Sequence, residues 1–180
     1  ACDQRETRHT YGARHPGRAL AAREDVQVFE TPPLAADVVV VGPVVARLWV
    51  STSARDTDFT VKLLDVHPPT PDWPDGFAMN LTSGIQRLRF HAGYEQARPV
   101  EPDRVYCIEV TLFPTANRFM AGHRVRVDVS SSNFPHFDVN PNTGAAAAVP
   151  ADPVTAVNRL HFGRDRPSGI VLHLLPAPRT

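Results

Sequence analysis

The sequence predicts an all-β fold: an antiparallel β-sandwich or jelly roll of about nine short strands. Three observations carry this. From Val26 onward the chain is built of short β-branched and aromatic runs separated by Pro, Gly, Asn and Asp, the texture of strands and turns. Two stretches alternate apolar and polar residues with the two-residue period of a half-buried strand. Eighteen prolines are scattered along the chain, and each forbids a helix interior nearby.

The elements follow in chain order. Residues 26–29 and 38–41 are short β-branched runs, and residues 44–51 place Ala46, Leu48 and Val50 opposite Arg47 and Trp49. Residues 59–67 place Phe59, Val61 and Leu63 opposite Thr60, Lys62 and Leu64, and a weaker candidate covers 85–90. Residues 105–112 alternate cleanly, with Tyr106, Ile108, Val110 and Leu112 on one face and Cys107, Glu109 and Thr111 on the other. Residues 124–130 put Val125, Val127 and Val129 inward and Arg124, Arg126 and Asp128 outward, and 157–162 and 170–175 complete the set. Such closely spaced strands favour antiparallel pairing over a parallel sheet, which needs crossover helices. Residues 131–153 form the one long irregular stretch, in which the alanines at 145–148 allow a single helical turn at most.

The length of 180 residues fits one domain, here residues 26–180, preceded by a polar, unpatterned segment at 1–25 that reads as a linker or extended arm needing a partner surface for order. Its start, Ala-Cys-Asp without methionine, is that of a piece of a longer polypeptide or of a chain with its methionine trimmed. Lys+Arg and Asp+Glu both number 19, which leaves no global field to attract nucleic acid or an anionic membrane. Lys62 is the single lysine; the arginine skew reads as genome composition. No apolar run approaches a membrane span and no signal segment opens the chain, so the expectation is a soluble protein, cytoplasmic or secreted. Cys2 and Cys107 are too few for a disulfide framework, and Cys107 reads as a buried free thiol.

Catalytic chemistry finds no support. A Gly-x-Ser-x-Gly elbow is absent, and the serines, such as Ser130, Ser131, Ser132 and Ser168, sit at strand ends and turns where backbone hydrogen bonding explains them. The eight histidines are spread singly, without the close pairing of a zinc site. Asp56, Asp58 and Asp65 offer oxygen ligands for calcium, but no loop glycine or closing Glu completes a calcium loop, and turn chemistry accounts for Asp-x-Asp. His136 and Asp138 have acid–base spacing in a loop without a nucleophile. Trp49 and Trp73 suit core or lid packing better than a sugar platform. No catalytic residue, metal ligand or cofactor is therefore assigned.

A set of words recurs in one order along nearly the whole chain. It runs from Asp3-Gln4-Arg5 through Asp25-Val26-Gln27-Val28-Phe29-Glu30-Thr31-Pro32-Pro33-Leu34 to Gly42-Pro43-Val44 and Arg47-Leu48-Trp49-Val50-Ser51. It continues with Asp56-Thr57-Asp58-Phe59, Lys62-Leu63-Leu64-Asp65-Val66, Ala121-Gly122-His123-Arg124, Ser130-Ser131-Ser132-Asn133-Phe134-Pro135 and Asn140-Pro141-Asn142-Thr143-Gly144. In these the chain resembles the C-terminal jelly-roll domain, of galactose-binding-like type, of the X-Pro dipeptidyl-peptidase and cocaine esterase (CocE/NonD) family of serine hydrolases. The resemblance implies a non-catalytic module whose partners are an α/β-hydrolase domain and a helical cap, with the catalytic serine, histidine and aspartate lying outside this chain. The reading from a different class is an autonomous carbohydrate-binding module.

Within that frame the loop aromatics are the expected contact residues. Phe134, Pro135, Phe137 and Val139 lie on a Pro- and Asn-rich loop with no strand to bury them, and an apolar patch on a loop marks an interdomain surface. In the isolated chain that surface would be exposed or partly covered by self-association. The competing reading folds these rings back over one open end of the sandwich.

Overall fold

The computed structural model describes residues 4–5, 17–145 and 152–176. Among these residues eight strands follow one another: β1 (Val26–Glu30), β2 (Val38–Thr52), β3 (Asp58–His67), β4 (Phe77–Arg87), β5 (Tyr106–Phe119), β6 (Arg124–Ser130), β7 (Asn158–His161) and β8 (Gly169–Val171). One sheet has the order β1-β6-β3-β4; the other has β5-β2-β7, with β8 also pairing along β2. Every pairing is antiparallel, so the all-β sandwich predicted from alternation is the fold. The residues at 146–148, where a single helical turn was allowed, lie outside the described part.

The core lies between the sheets. Ala46, Leu48 and Val50 of β2, Phe59, Val61 and Leu63 of β3, and Tyr106, Ile108, Val110 and Leu112 of β5 are all buried in one cluster, as alternation placed them. Phe119, Leu88 and Val100 join it.

Four local readings change. The runs at 38–41 and 44–51 are one strand of 15 residues, because the Gly42-Pro43 interruption is absorbed as a bulge: Gly42 takes φ +127° and the β2–β5 register shifts between Gly42 and Val44. The candidate at 85–90 is the end of a longer strand, β4, whose last three expected residues instead form the 3₁₀ turn Leu88–Phe90. β5 runs on past Pro114 to Phe119, which its place at the sheet edge permits, since proline has no N–H to offer a ladder.

The fourth concerns a face expected to be wet. Arg126 and Asp128, placed outward by alternation, are 6% and 4% exposed. They form a bidentate pair with both N···O distances at 2.7 Å. Next to them on β3 lie Lys62, in register with Asp128, and Leu64, in register with Arg126, also buried. The cover comes from the N-terminal segment. Leu20, in a short 3₁₀ turn, packs beside Lys62 and Asp128, and Gln4 accepts a hydrogen bond from Lys62 Nζ at 2.8 Å. The Leu20 N–H binds the Gln4 carbonyl at 2.8 Å, which ties the two described pieces of this segment together. Desolvation in this layer lowers the Lys62 ammonium to about 8.

The sandwich is closed along one side, where β4 lies against β5, and Gly84 makes the closure possible. A Cβ there would stand 2.5 Å from the Thr111 carbonyl oxygen and 3.1 Å from Leu112 Cα, both backbone atoms with no rotamer to escape by. Gly84→Ala should therefore destabilise the fold by about 1–3 kcal/mol. Gly169→Ala, a strand position whose Cβ would meet nothing within 4 Å, should stay within about 0.5 kcal/mol of the parent. Urea denaturation midpoints of the two variants check the contrast, and equal midpoints would remove the steric account.

Candidate functional site

The residues at 56–58, 87–89 and 140–145 are far apart in the sequence and meet at one end of the sandwich. Asp58 opens β3 opposite Arg87 at the close of β4, so register alone brings that pair together. Arg87 donates to both Asp58 carboxylate oxygens, at 2.8 and 3.0 Å. Arg89, in the turn after β4, donates from Nε to Asp56 at 2.6 Å and from its backbone N–H to the other Asp56 oxygen at 2.9 Å. Asn140 Nδ2 then bridges the two carboxylates, at 3.1 Å from Asp56 and 2.8 Å from Asp58. Asp56, Asp58 and Asn140 are all buried. The hydrogen bond to Asp58 holds the Arg87 guanidinium above its ordinary range.

This node anchors the irregular loop after β6. The Asn140 side-chain oxygen accepts from the Asn142 N–H at 2.9 Å, and Arg89 also donates to the Ala145 carbonyl at 2.8 Å. Asn158 of β7 holds the start of the loop through Ser131 Oγ at 2.6 Å. The Asn133 carbonyl accepts from the N–H groups of His136 and Phe137 at 2.9 and 3.2 Å, closing a tight turn. Held in this way, the loop presents Phe134 at 44% exposure and Val139 at 60%; Pro135 is exposed and Phe137 half-buried. A groove of about 500 Å³ beside the loop is lined by Gln27, Ser131, Val139, Asn140, Val157 and Asn158.

The same contacts bear on the other sequence candidates. The Asp56 and Asp58 oxygens are taken by two guanidinium groups and an amide, while Asp65 lies at the far end of β3, so the three carboxylates do not converge on one cation. Cys107 is exposed, not buried: the alternation of β5 puts it on the wet face with Glu109, in register with Trp49 of β2. The His136 ring packs on Phe137 with centroids 4.5 Å apart, in the exposed part of the loop. Trp49 is half-buried in β2 and Trp73 is half-exposed in the β3–β4 connection of the other sheet, tilted against Phe77, so the two indoles build no common sugar platform.

Ser130 Oγ is bonded to Thr60 Oγ1, and Ser168 Oγ donates to the His161 carbonyl while accepting from Trp49 N. One serine–histidine pair went unforeseen, Ser51 Oγ to His161 Nε2 at 3.0 Å. Ser51 is buried within a regular strand, and burial, followed by the charges of Arg166 and Arg159, lowers the basicity of His161. That setting opposes the imidazolium a general base must become.

A second cluster missed by the sequence reading joins Asp65 and His67 of β3 to His123 in the turn before β6. His123 Nδ1 lies 2.8 Å from Asp65 Oδ1, and Asn117 Nδ2 donates to Asp65 Oδ2 at 3.0 Å. The two imidazole centroids are 4.2 Å apart. Burial keeps His67 below its ordinary range, with Asp65 acting in the opposite direction.

With this geometry in place, three kinds of likeness become informative. The family model described as the X-Pro dipeptidyl-peptidase C-terminal non-catalytic domain matches residues 2–171. The cocaine esterase of Rhodococcus sp. (strain MB1 Bresler) is 43% identical over 160 residues, which are 88% of this chain and 27% of that protein. Among solved structures, an aminopeptidase from a marine sediment Thaumarchaeota archaeon superposes with a TM-score of 0.81 at 36% identity, over 87% of this chain and 27% of that one. An α-amino acid ester hydrolase also gives 0.81, at 31% identity over 87% of this chain and 26% of its own. The chain thus spans about a quarter of the length of the relatives it matches.

Removing one carboxylate from the node tests its weight. Asp56→Ala takes the carboxylate from the Arg89 guanidinium and leaves Asn140 Nδ2 only Asp58, and such a break costs about 3–5 kcal/mol. Urea unfolding of the purified variant should show that loss, together with faster amide exchange across 131–145. A loss under about 1 kcal/mol would place the network in the class of surface pairs.

Proposed function

Because the chain belongs to the X-Pro dipeptidyl-peptidase C-terminal non-catalytic domain family, we propose that it is the closing module of a serine hydrolase of dipeptidyl-peptidase, esterase or acylase type. It packs against an α/β-hydrolase domain and a helical cap and stabilises both. Phe134, Pro135, Phe137 and Val139 form its contact surface. The observation that carries this reading is the anchored loop: a buried carboxylate–guanidinium node holds a segment that exposes Phe134 and Val139. An aromatic ring half-exposed on a loop held from beneath is pre-organised for a partner, since little entropy remains to be lost on docking.

Two outcomes follow. The polypeptide encoded together with this chain should contain Gly-x-Ser-x-Gly, and the chain alone should not turn over p-nitrophenyl acetate beyond what Cys107→Ser removes. An activity that survives Cys107→Ser and is lost with a single serine sinks the non-catalytic assignment.

The contact surface has its own test. Phe134→Ser with Phe137→Ser should lower the melting temperature and activity of the longer polypeptide, while shifting the isolated chain by at most about 1 kcal/mol. A loss of about 3–5 kcal/mol in the isolated chain, the size of a core aromatic truncation, would assign the rings to its own core.

A further inference from the structure

We propose that Asp65, His67 and His123 form a binding site for a divalent first-row metal ion, with zinc as the fitting ion. One donor atom from each side chain lies within 4.8 Å of the other two. The hydrogen bond from His123 to Asp65 explains two members of the group but not the third. His67 Nε2 is shut off from solvent, has no hydrogen-bond partner among the described residues, and sits 3.7 Å from Asp65 Oδ2. A buried ring nitrogen left unpaired is costly, and a bound cation would satisfy it together with the carboxylate.

The surroundings match what a metal requires. Asn117 already orients Asp65 through its Oδ2, as a supporting hydrogen bond does for a ligating carboxylate. His67 is half-exposed, so its ring has room to move. Tetrahedral zinc with bonds of about 2.0–2.1 Å sets its donors roughly 3.3 Å apart, so the cluster contracts by at most about 1.5 Å to take it. Two imidazoles and one carboxylate select zinc or its neighbours over calcium and magnesium, which prefer all-oxygen shells. Three protein donors leave a fourth position for water. The ion would fasten the end of β3 to the turn that enters β6, two segments joined in this cluster by the His123–Asp65 contact.

The test uses the whole chain after metal removal with a chelator. Zinc titrated calorimetrically should bind once, and cobalt should give the visible bands of a four-coordinate ion. Of the eight histidines, zinc should shift the imidazole nitrogen resonances of His67 and His123 alone. His67→Gln should weaken zinc binding at least about tenfold. Resonance shifts on other histidines, or an affinity that His67→Gln leaves unchanged, would overturn the proposal, as would no binding at millimolar zinc. If the variant fails to fold without metal, the resonances of the unmodified chain decide the matter alone.

Discussion

Two buried carboxylates, Asp56 and Asp58, are the constraint on which one end of this molecule depends. Charges removed from water must be met by opposite charge and by enough donors to fill their lone pairs. Here Arg87 and Arg89 meet the charge, and Asn140 adds a donor to both carboxylates at once. Because the partners come from two further segments, satisfying the carboxylates fixes the start of β3, the close of β4 with its turn, and the loop after β6 together. The loop lacks the ladder hydrogen bonds of a strand, and its placement rests on this node and on side-chain contacts such as that of Asn158 with Ser131.

β3 plays the corresponding role for the layers. It is the one strand of its sheet with eight consecutive buried residues, because both of its faces are covered. The inner face packs on β2 and β5. The outer face is covered by the segment holding Gln4 and Leu20, above a row of polar groups that would be costly to bury unpaired. The pairing of Arg126 with Asp128 and the hydrogen bond from Lys62 to Gln4 make the burial tolerable. The segment at 1–25, read from its polarity as an arm awaiting a partner surface, has in its described residues such a surface on the sheet itself.

These two features divide the molecule by task. The sandwich interior and its covered face supply stability, and among the described residues neither presents a nucleophile with an activating base; even the Ser51–His161 pair is embedded in strand and faced by arginines. What remains for recognition lies at the ends and in the loops. The anchored 131–145 loop offers apolar area, and the Asp65–His67–His123 cluster offers donor atoms at the opposite end of β3. Among the described residues the chemistry of this non-catalytic family domain is electrostatic fastening.

The sequence by itself determined the fold class and the inward faces of β2, β3, β5 and β6, because the two-residue period of a strand is written locally in residues such as Ala46, Leu48 and Val50 or Ile108 and Val110. Its ordered words also determined the family. It did not determine that β2 runs unbroken through Gly42-Pro43, nor that β4 begins as early as Phe77, since a bulge and a weakly patterned strand are settled by the partner's ladder. Nor did it show that Arg126 and Asp128 are buried, because alternation tells which residues share a face and not what covers that face. The meeting of Asp56 and Asp58 with Asn140, and of His67 with His123, belongs wholly to the tertiary structure: those contacts depend on register and chain return across long separations, for which no local pattern of residues exists.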